Sequence, residues 1–259
     1  MSTAARREGS PPDPEERPPR AVTFDCWHTL IFEASWETAH GLRVAALEAA
    51  ALSVGRPLEP GRAGRAFDAA WGRHMDLWAK GVATGAREVA HWALEELDLR
   101  PQGPAFEPLL EAFEEASHSS RVLMIEGALE TLTRLEEAGI GSALICDTGL
   151  TPGRVVRKLL DGHGLLAPLA ETIFSDEWSL PKPHPRVFEA ALEALGVEAR
   201  DAVHVGDLRR TDVAGARGVG MRTIRLKASH DDTTAYPEAD HVAGSHAEVL
   251  DLLGLASSP

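Results

Sequence analysis

Cysteine is scarce: Cys26 and Cys146 are the only two in 259 residues, which excludes a disulfide framework as the fold's support. No apolar run approaches the roughly 20 residues that a membrane-spanning helix needs. Positive charge is also in short supply. Twenty-six basic residues face 40 acidic ones, a formal net charge of −14, and a polyanion such as nucleic acid or an anionic membrane does not suit such a surface. Internal repeats are absent, and the opening MSTAARREGSPPDPEERPPR lacks the apolar core of a secretory signal. The expectation is a cytoplasmic monomer or homodimer that acts on a small molecule. What is present is a globular composition, 44% hydrophobic and 25% charged. The length suits one α/β domain with a sizeable insertion, or two compact domains.

Residues 1–20 carry five prolines and eight charged side chains, with little to bury, and are predicted to be a disordered tail. The run Ala21-Val22-Thr23-Phe24 is short, apolar and β-prone, as expected for a strand buried on both faces of a parallel sheet. From Trp36 to His118 the spacing turns helical. Phe67, Trp71, Met75 and Trp78 recur on one face, as do Val89, Ala93 and Leu97, and Phe106, Leu110 and Phe113. Segments 36–53, 60–80, 86–99 and 105–118 are predicted helices, broken at Pro57/Pro60, Gly81/Gly85 and Pro101/Pro104. Beyond residue 120, predicted helices 127–138, 152–163, 184–195, 211–218 and 245–253 alternate with strands 140–146, 171–175, 202–206, 221–226 and 240–243. That order implies right-handed crossovers and a doubly wound parallel sheet. The domain reading is a core of 21–35 plus 120–259 with a four-helix insertion over 36–119.

In such sheets the working residues lie beyond the carboxyl ends of the strands. Four predicted strand ends are polar: Asp25-Cys26-Trp27-His28-Thr29, Cys146-Asp147-Thr148-Gly149, Pro181-Lys182-Pro183, and Gly206-Asp207 with Asp212 shortly after. Asp25, Asp207 and Asp212 would converge at one edge, and three carboxylates repel unless a cation joins them. Oxygen-only donors favour a hard divalent ion such as Mg²⁺. Lys182 can offset charge on an aspartate or an anionic substrate, and turn amides near Asp147 and Thr151 can donate to phosphoryl oxygens. Carboxylate, metal site and lysine together fit phosphoryl transfer through an aspartyl intermediate.

The stretches FDCWHTL, LICDTG, LPKPHPRVFEAAL and VHVGDLRRTDVAGA, in this order and spacing, resemble the haloacid dehalogenase (HAD) superfamily. Within it they resemble the subgroup with a helical cap between the first two motifs, over about residues 20–255. The resemblance implies a HAD-like Rossmannoid core, Asp25 as nucleophile supported by Lys182, and Mg²⁺ on Asp25, Asp207, Asp212 and the Trp27 backbone carbonyl. It also implies a small anionic substrate, with phosphate esters the leading class.

Three positions depart from that pattern. Phosphatases of the family carry Asp-x-Asp, the second Asp serving as general acid and base. Here Trp27 stands there, and indole has no proton to give near neutral pH. Aromatic residues at this place are usual in the dehalogenases, so hydrolytic dehalogenation is the second enzymatic reading and a catalytically idle binding protein the third. His28 replaces the usual glycine. It is a candidate substitute acid or base, the alternative being a histidine packed beneath the cap hinge. Cys146 is read as occupying the hydroxyl position of motif two, with Thr148 as its candidate replacement. A redox pairing of Cys146 with Cys26 is disfavoured, because buried cysteines are usually inert. Trp36, at the start of the insertion, is a candidate pocket wall, whereas Trp71 and Trp78 are expected in the bundle core. His40, His74, His91 and His118 lack metal-ligand spacing.

Overall fold

The computed structural model describes residues 18–100 and 106–256. Of the tail predicted over 1–20, residues 1–17 lie outside them, as does the break at Pro101/Pro104. Residues 18–20 already belong to the core: Pro19 is buried, and the Arg20 N–H donates to the Asp201 carbonyl at 2.8 Å.

Six parallel strands form the central sheet: β1 (Ala21–Phe24), β4 (Gly141–Cys146), β5 (Glu171–Phe174), β6 (Ala202–Gly206), β7 (Arg222–Leu226) and β8 (His241–Ala243), in the order β5-β4-β1-β6-β7-β8. Alternate side chains of a strand face opposite sides, and β1 shows the consequence. Val22 and Phe24 join the apolar layer shared with Leu132, Leu135, Val156, Leu160 and Val249, which α5 (Ala128–Glu137), α6 (Gly153–Gly162) and α10 (His246–Leu252) supply. Ala21 faces the other layer, where α8 (Pro185–Leu195) brings Val187, Phe188 and Ala191. Both faces are therefore covered, as the apolar strand runs require.

Between β1 and β4 lie the helices α1 (Trp36–Ser53), α2 (Arg62–Ala79), α3 (Ala86–Glu96) and α4 (Glu107–Ser119), packed around their own cluster that includes Leu47, Phe67, Val89, Leu94, Leu110 and Phe113. A feature without a sequence signal joins them to the sheet. Strands β2 (Ile31–Glu33) and β3 (Val122–Met124) form an antiparallel ribbon with Phe32 opposite Leu123. Three residues per strand are too few to show a period of two. The short helix α7 (Ser175–Trp178) likewise follows β5 directly.

The helix predicted over 211–218 is corrected. Residues Arg209–Val213 make a π-turn, and only Ala214–Gly218 (α9) are α-helical. The Val213 N–H reaches the Leu208 carbonyl five residues back, while the Asp212 carboxylate accepts the Leu208 N–H at 2.9 Å. That side-chain bond widens the turn and fixes Asp212 under the sheet edge. Gly206 makes room for it: a Cβ there would lie 2.4 Å from Asp212 Cγ. Among the described residues, no helix is long and apolar enough to cross a membrane.

Candidate active site

The predicted strand ends do meet. Asp25 follows β1, with its N–H on the Val205 carbonyl at 2.9 Å, and is 6% exposed. Lys182, 2% exposed, lies between two carboxylates: Nζ is 2.5 Å from Asp25 Oδ1 and 2.6 Å from Asp212 Oδ1. Asp25, Asp207 and Asp212 each offer an oxygen within 4.8 Å of the others.

Burial and the neighbouring charges divide the three acids. Burial raises Asp25 to about 7, against the pull of Lys182. Burial and repulsion from Asp25 and Asp212 raise Asp207 to about 9. Burial acts on Asp212 in the same sense, but Lys182 and His204 outweigh it and hold that carboxyl well below its ordinary value. Lys182 stays charged, since Asp212, Asp25 and Asp147 overcome the effect of burial. With one ammonium among three buried carboxylates, ionising all three would leave surplus negative charge; the raised Asp25 and Asp207 avoid it by holding protons, whose place a divalent cation can take. The all-oxygen donor set fits Mg²⁺.

Two cavities open on this edge. The smaller, of about 140 Å³, is walled by Asp25, Lys182, Asp207, Asp212, Leu208 and Thr211, with Trp27, His28, Trp78 and Asp147. The larger, of about 430 Å³, shares those last four residues and extends into the helices past Trp36, Trp71, His74 and Arg43. Trp36 lines this larger cavity, its ring 5.5 Å from that of Trp71. Trp71 packs against the helical cluster, as expected of bundle core, and also lines the cavity, whereas Trp78 is corrected from bundle core to cavity wall. Helical spacing identifies the inward face of α2 but not whether that face meets helices or a cleft.

Cys146 is also corrected. As the last residue of β4 it points with Leu144 into the apolar layer, beside Cys26, and its thiol donates to the Asp147 carbonyl at 3.6 Å. Alternation puts the next side chain at the site, so Asp147 rather than Cys146 walls both cavities. The Asp147 carboxylate accepts from the Lys182 backbone N–H at 2.9 Å and from the Trp78 indole at 2.7 Å. It thus ties the lysine loop and α2 to the end of β4. Thr148 is buried, its N–H and hydroxyl 3.0 and 3.1 Å from Ser175 Oγ, and it lines the larger cavity. His28 is not buried beneath a hinge: it lines both cavities. It is exposed, in a left-handed conformation (φ 62°), with Nδ1 3.1 Å from Ser229 Oγ.

Three participants escaped the sequence reading. His204 Nε2 lies 3.3 Å from Asp212 Oδ1 and Nδ1 lies 2.8 Å from Thr23 Oγ1. Burial lowers its pKa, and the neutral ring donates to Asp212 while accepting from Thr23. The only hint is a polar residue in the apolar strand AVHVG, in register with Thr23. His230, from an irregular loop, places Nδ1 2.8 Å from Asp207 Oδ2. Arg43 occupies the buried stripe of α1 with Ala39, Leu47 and Ala51, and a charge in an apolar stripe is the signal that would have found it.

The buried histidines make an acid limb measurable. His74 stacks on Trp71 at 4.7 Å with Nδ1 2.7 Å from Thr84 Oγ1, and burial lowers its pKa to about 4. A base with a depressed pKa stabilises the fold above its unfolded value near 6.5, and that stability is lost as the pH falls through 4. His204 and His246 shift in the same direction. Between pH 6.5 and 4 the wild-type protein should therefore lose about 3 kcal/mol more stability than His74→Gln, the raised carboxyls of Asp25 and Asp207 acting in the opposite sense in both proteins. Urea titrations of the two proteins across this range read the difference, and a constant gap between them contradicts the burial argument.

The geometry agrees with what the chain is similar to. A family model described as haloacid dehalogenase-like hydrolase matches residues 19–220. A glyceraldehyde 3-phosphate phosphatase of Pyrococcus abyssi is 30% identical over 166 residues, which are 62% of this chain and 66% of that protein, just short of two thirds of its length. A (S)-2-haloacid dehalogenase of a Pseudomonas species is 27% identical over 239 residues, 91% of this chain and 97% of that protein. In fold, the structure of a HAD phosphatase from Thermococcus onnurineus superposes with a TM-score of 0.65 at 24% identity, covering 92% of this chain and 99% of that one. With a parallel sheet gathering aspartates and a lysine at its carboxyl edge, and a family pattern running through most of its length, the protein belongs to the haloacid dehalogenase-like hydrolases.

Proposed function

We propose that the protein is a Mg²⁺-dependent phosphohydrolase of small phosphate esters, with Asp25 as the nucleophile. The observation that carries this reading is the triad of Asp25, Asp207 and Asp212, gathered within 4.8 Å beside Lys182. A dehalogenase, which displaces halide from carbon, has no need of such an acidic cluster. Mg²⁺ held by Asp25, Asp207, Asp212 and the Trp27 carbonyl would neutralise phosphoryl charge. An Asp25 oxygen attacks phosphorus in line. The Asp25–phosphorus bond forms as the ester P–O bond breaks, and the leaving oxygen departs with the bonding pair. Water then attacks the aspartyl phosphate, freeing Asp25, and its protons pass to phosphate and solvent. Lys182 balances charge on Asp25 throughout.

Trp27 shapes the choice of substrate. With no carboxyl at that position to protonate the leaving oxygen, aryl and other stabilised leaving groups are favoured over alkoxides. Trp27 and the dehalogenase relative keep halide displacement as the second reading. The two separate in one experiment: brief reaction with a ³²P-labelled aryl phosphate and Mg²⁺, then acid quench. Label on Asp25, absent in Asp25→Asn, is the expected result. No label, together with metal-independent chloride release from 2-chloropropionate, would replace phosphohydrolase with dehalogenase.

A further inference from the structure

We propose that Arg43 binds a carboxylate on the leaving group, so that the substrate is a phosphate ester of a carboxylated, flat or apolar alcohol, an aryl one above all. This builds on the phosphohydrolase reading and adds the substrate's second anionic group.

Arg43 has an incomplete set of hydrogen bonds. Arg43 is 1% exposed. Its Nε donates to the Phe113 carbonyl at 3.1 Å and Nη2 to Ser117 Oγ at 3.3 Å, which ties α1 to α4. Nη1 has no partner. Nor does any carboxylate among the described residues lie within 4.0 Å of the guanidinium. The nearby acid Glu33 acts only at longer range and is already bonded to Ser120 Oγ at 2.5 Å. Buried charges are normally paired, and a buried donor left without a partner is destabilising, the more so when charged. Tying two helices together accounts for Nε and Nη2 but not for an unused arm and an uncompensated charge.

That charge lines the larger cavity and not the smaller one. Around it stand Trp27, Trp36, Trp71, Trp78 and Met75, with the Arg43 guanidinium 5.7 Å from the Trp36 ring centroid. Tryptophan faces suit a flat or apolar body. The guanidinium fork suits a planar anion, and one cation close to Glu33 favours a single negative charge over a dianion. The shared wall of Trp27, His28, Trp78 and Asp147 lets one molecule extend from the carboxylate pole at Arg43 to the phosphoryl pole at Asp25.

Two measurements test this. In the first, wild-type protein with Mg²⁺ hydrolyses 4-(carboxymethyl)phenyl phosphate and its methyl ester. The acid should show a kcat/KM about tenfold or more higher, carried mainly by KM, because a charge-assisted bond is worth at least ~1.4 kcal/mol. In Arg43→Met the ratio should fall toward one, and Arg43→Lys should recover part of it. The second needs neither turnover nor a variant: quenching of wild-type tryptophan fluorescence by phenylacetate against phenylacetamide, with phenylacetate expected to bind about tenfold tighter. Hydrolysis of both esters with equal kcat/KM, or equal binding of acid and amide, overturns the Arg43 assignment and leaves the phosphohydrolase reading intact. Tighter phenylacetate binding without hydrolysis of either ester supports the carboxylate site and overturns the phosphohydrolase reading instead.

Discussion

Lys182→Met is expected to destabilise the metal-free protein by about 3–5 kcal/mol, because it leaves Asp25 and Asp212 buried without their shared counter-charge. Methionine preserves most of the side-chain length, so the loss is electrostatic rather than a cavity. Lys182 Nζ lies 2.5 Å from Asp25 and 2.6 Å from Asp212, with all three side chains at least nine-tenths buried. Nothing else in the pocket replaces it: His204 already donates to Asp212, and burial keeps that ring neutral. Urea titration in EDTA reads the change directly. Mg²⁺ should return part of the lost stability, since it satisfies the same carboxylates, whereas phosphate release should stay at least about a hundredfold down. A loss below about 1 kcal/mol would mean that these carboxylates are protonated or hydrated and do not depend on the lysine.

The second large effect runs the other way. Trp27→Asp is expected to raise the hydrolysis of an alkyl phosphate by roughly 10²–10⁴-fold, the range that a positioned general acid contributes. Trp27 walls both cavities, so a carboxyl at this place faces the volume where the leaving oxygen must lie. Aryl phosphates should gain much less, because a phenolate departs without a proton. The comparison to make is therefore the alkyl-to-aryl ratio of kcat/KM in the two proteins. An unchanged ratio would show that the indole is not what restricts the leaving group.

How far the chain could be read in advance follows from how local each feature is. The alternation of strand and helix is written in short apolar runs and 3.6-residue spacing, and β1, β4, β6 and the four inserted helices were legible from it. Asp25, Lys182, Asp207 and Asp212 were legible because strand ends of a parallel sheet share one edge. Other features depend on what a face meets. The stripe of α2 reads the same whether Trp78 packs on helices or bonds to Asp147. β4 ends at Cys146 as predicted, but that last side chain joins the apolar layer and the next one, Asp147, meets the cavity; where a strand ends does not by itself say which face its last residue takes. The π-turn over 209–213 depends on the side chain of Asp212, which no periodicity encodes. Arg43 is a different case: it lies away from the strand ends, and its signal is a charge in the apolar stripe of a helix.

The proposed reaction is hydrolysis of a phosphate ester at this sheet edge by Asp25 together with Mg²⁺. The most direct measurement is steady-state phosphate release from an activated aryl phosphate, with and without Mg²⁺, by wild-type protein and by folded Asp25→Asn. Turnover that disappears both on chelation and in Asp25→Asn is the predicted result. Release that persists in Asp25→Asn, or wild-type protein that releases nothing above that variant, would contradict it.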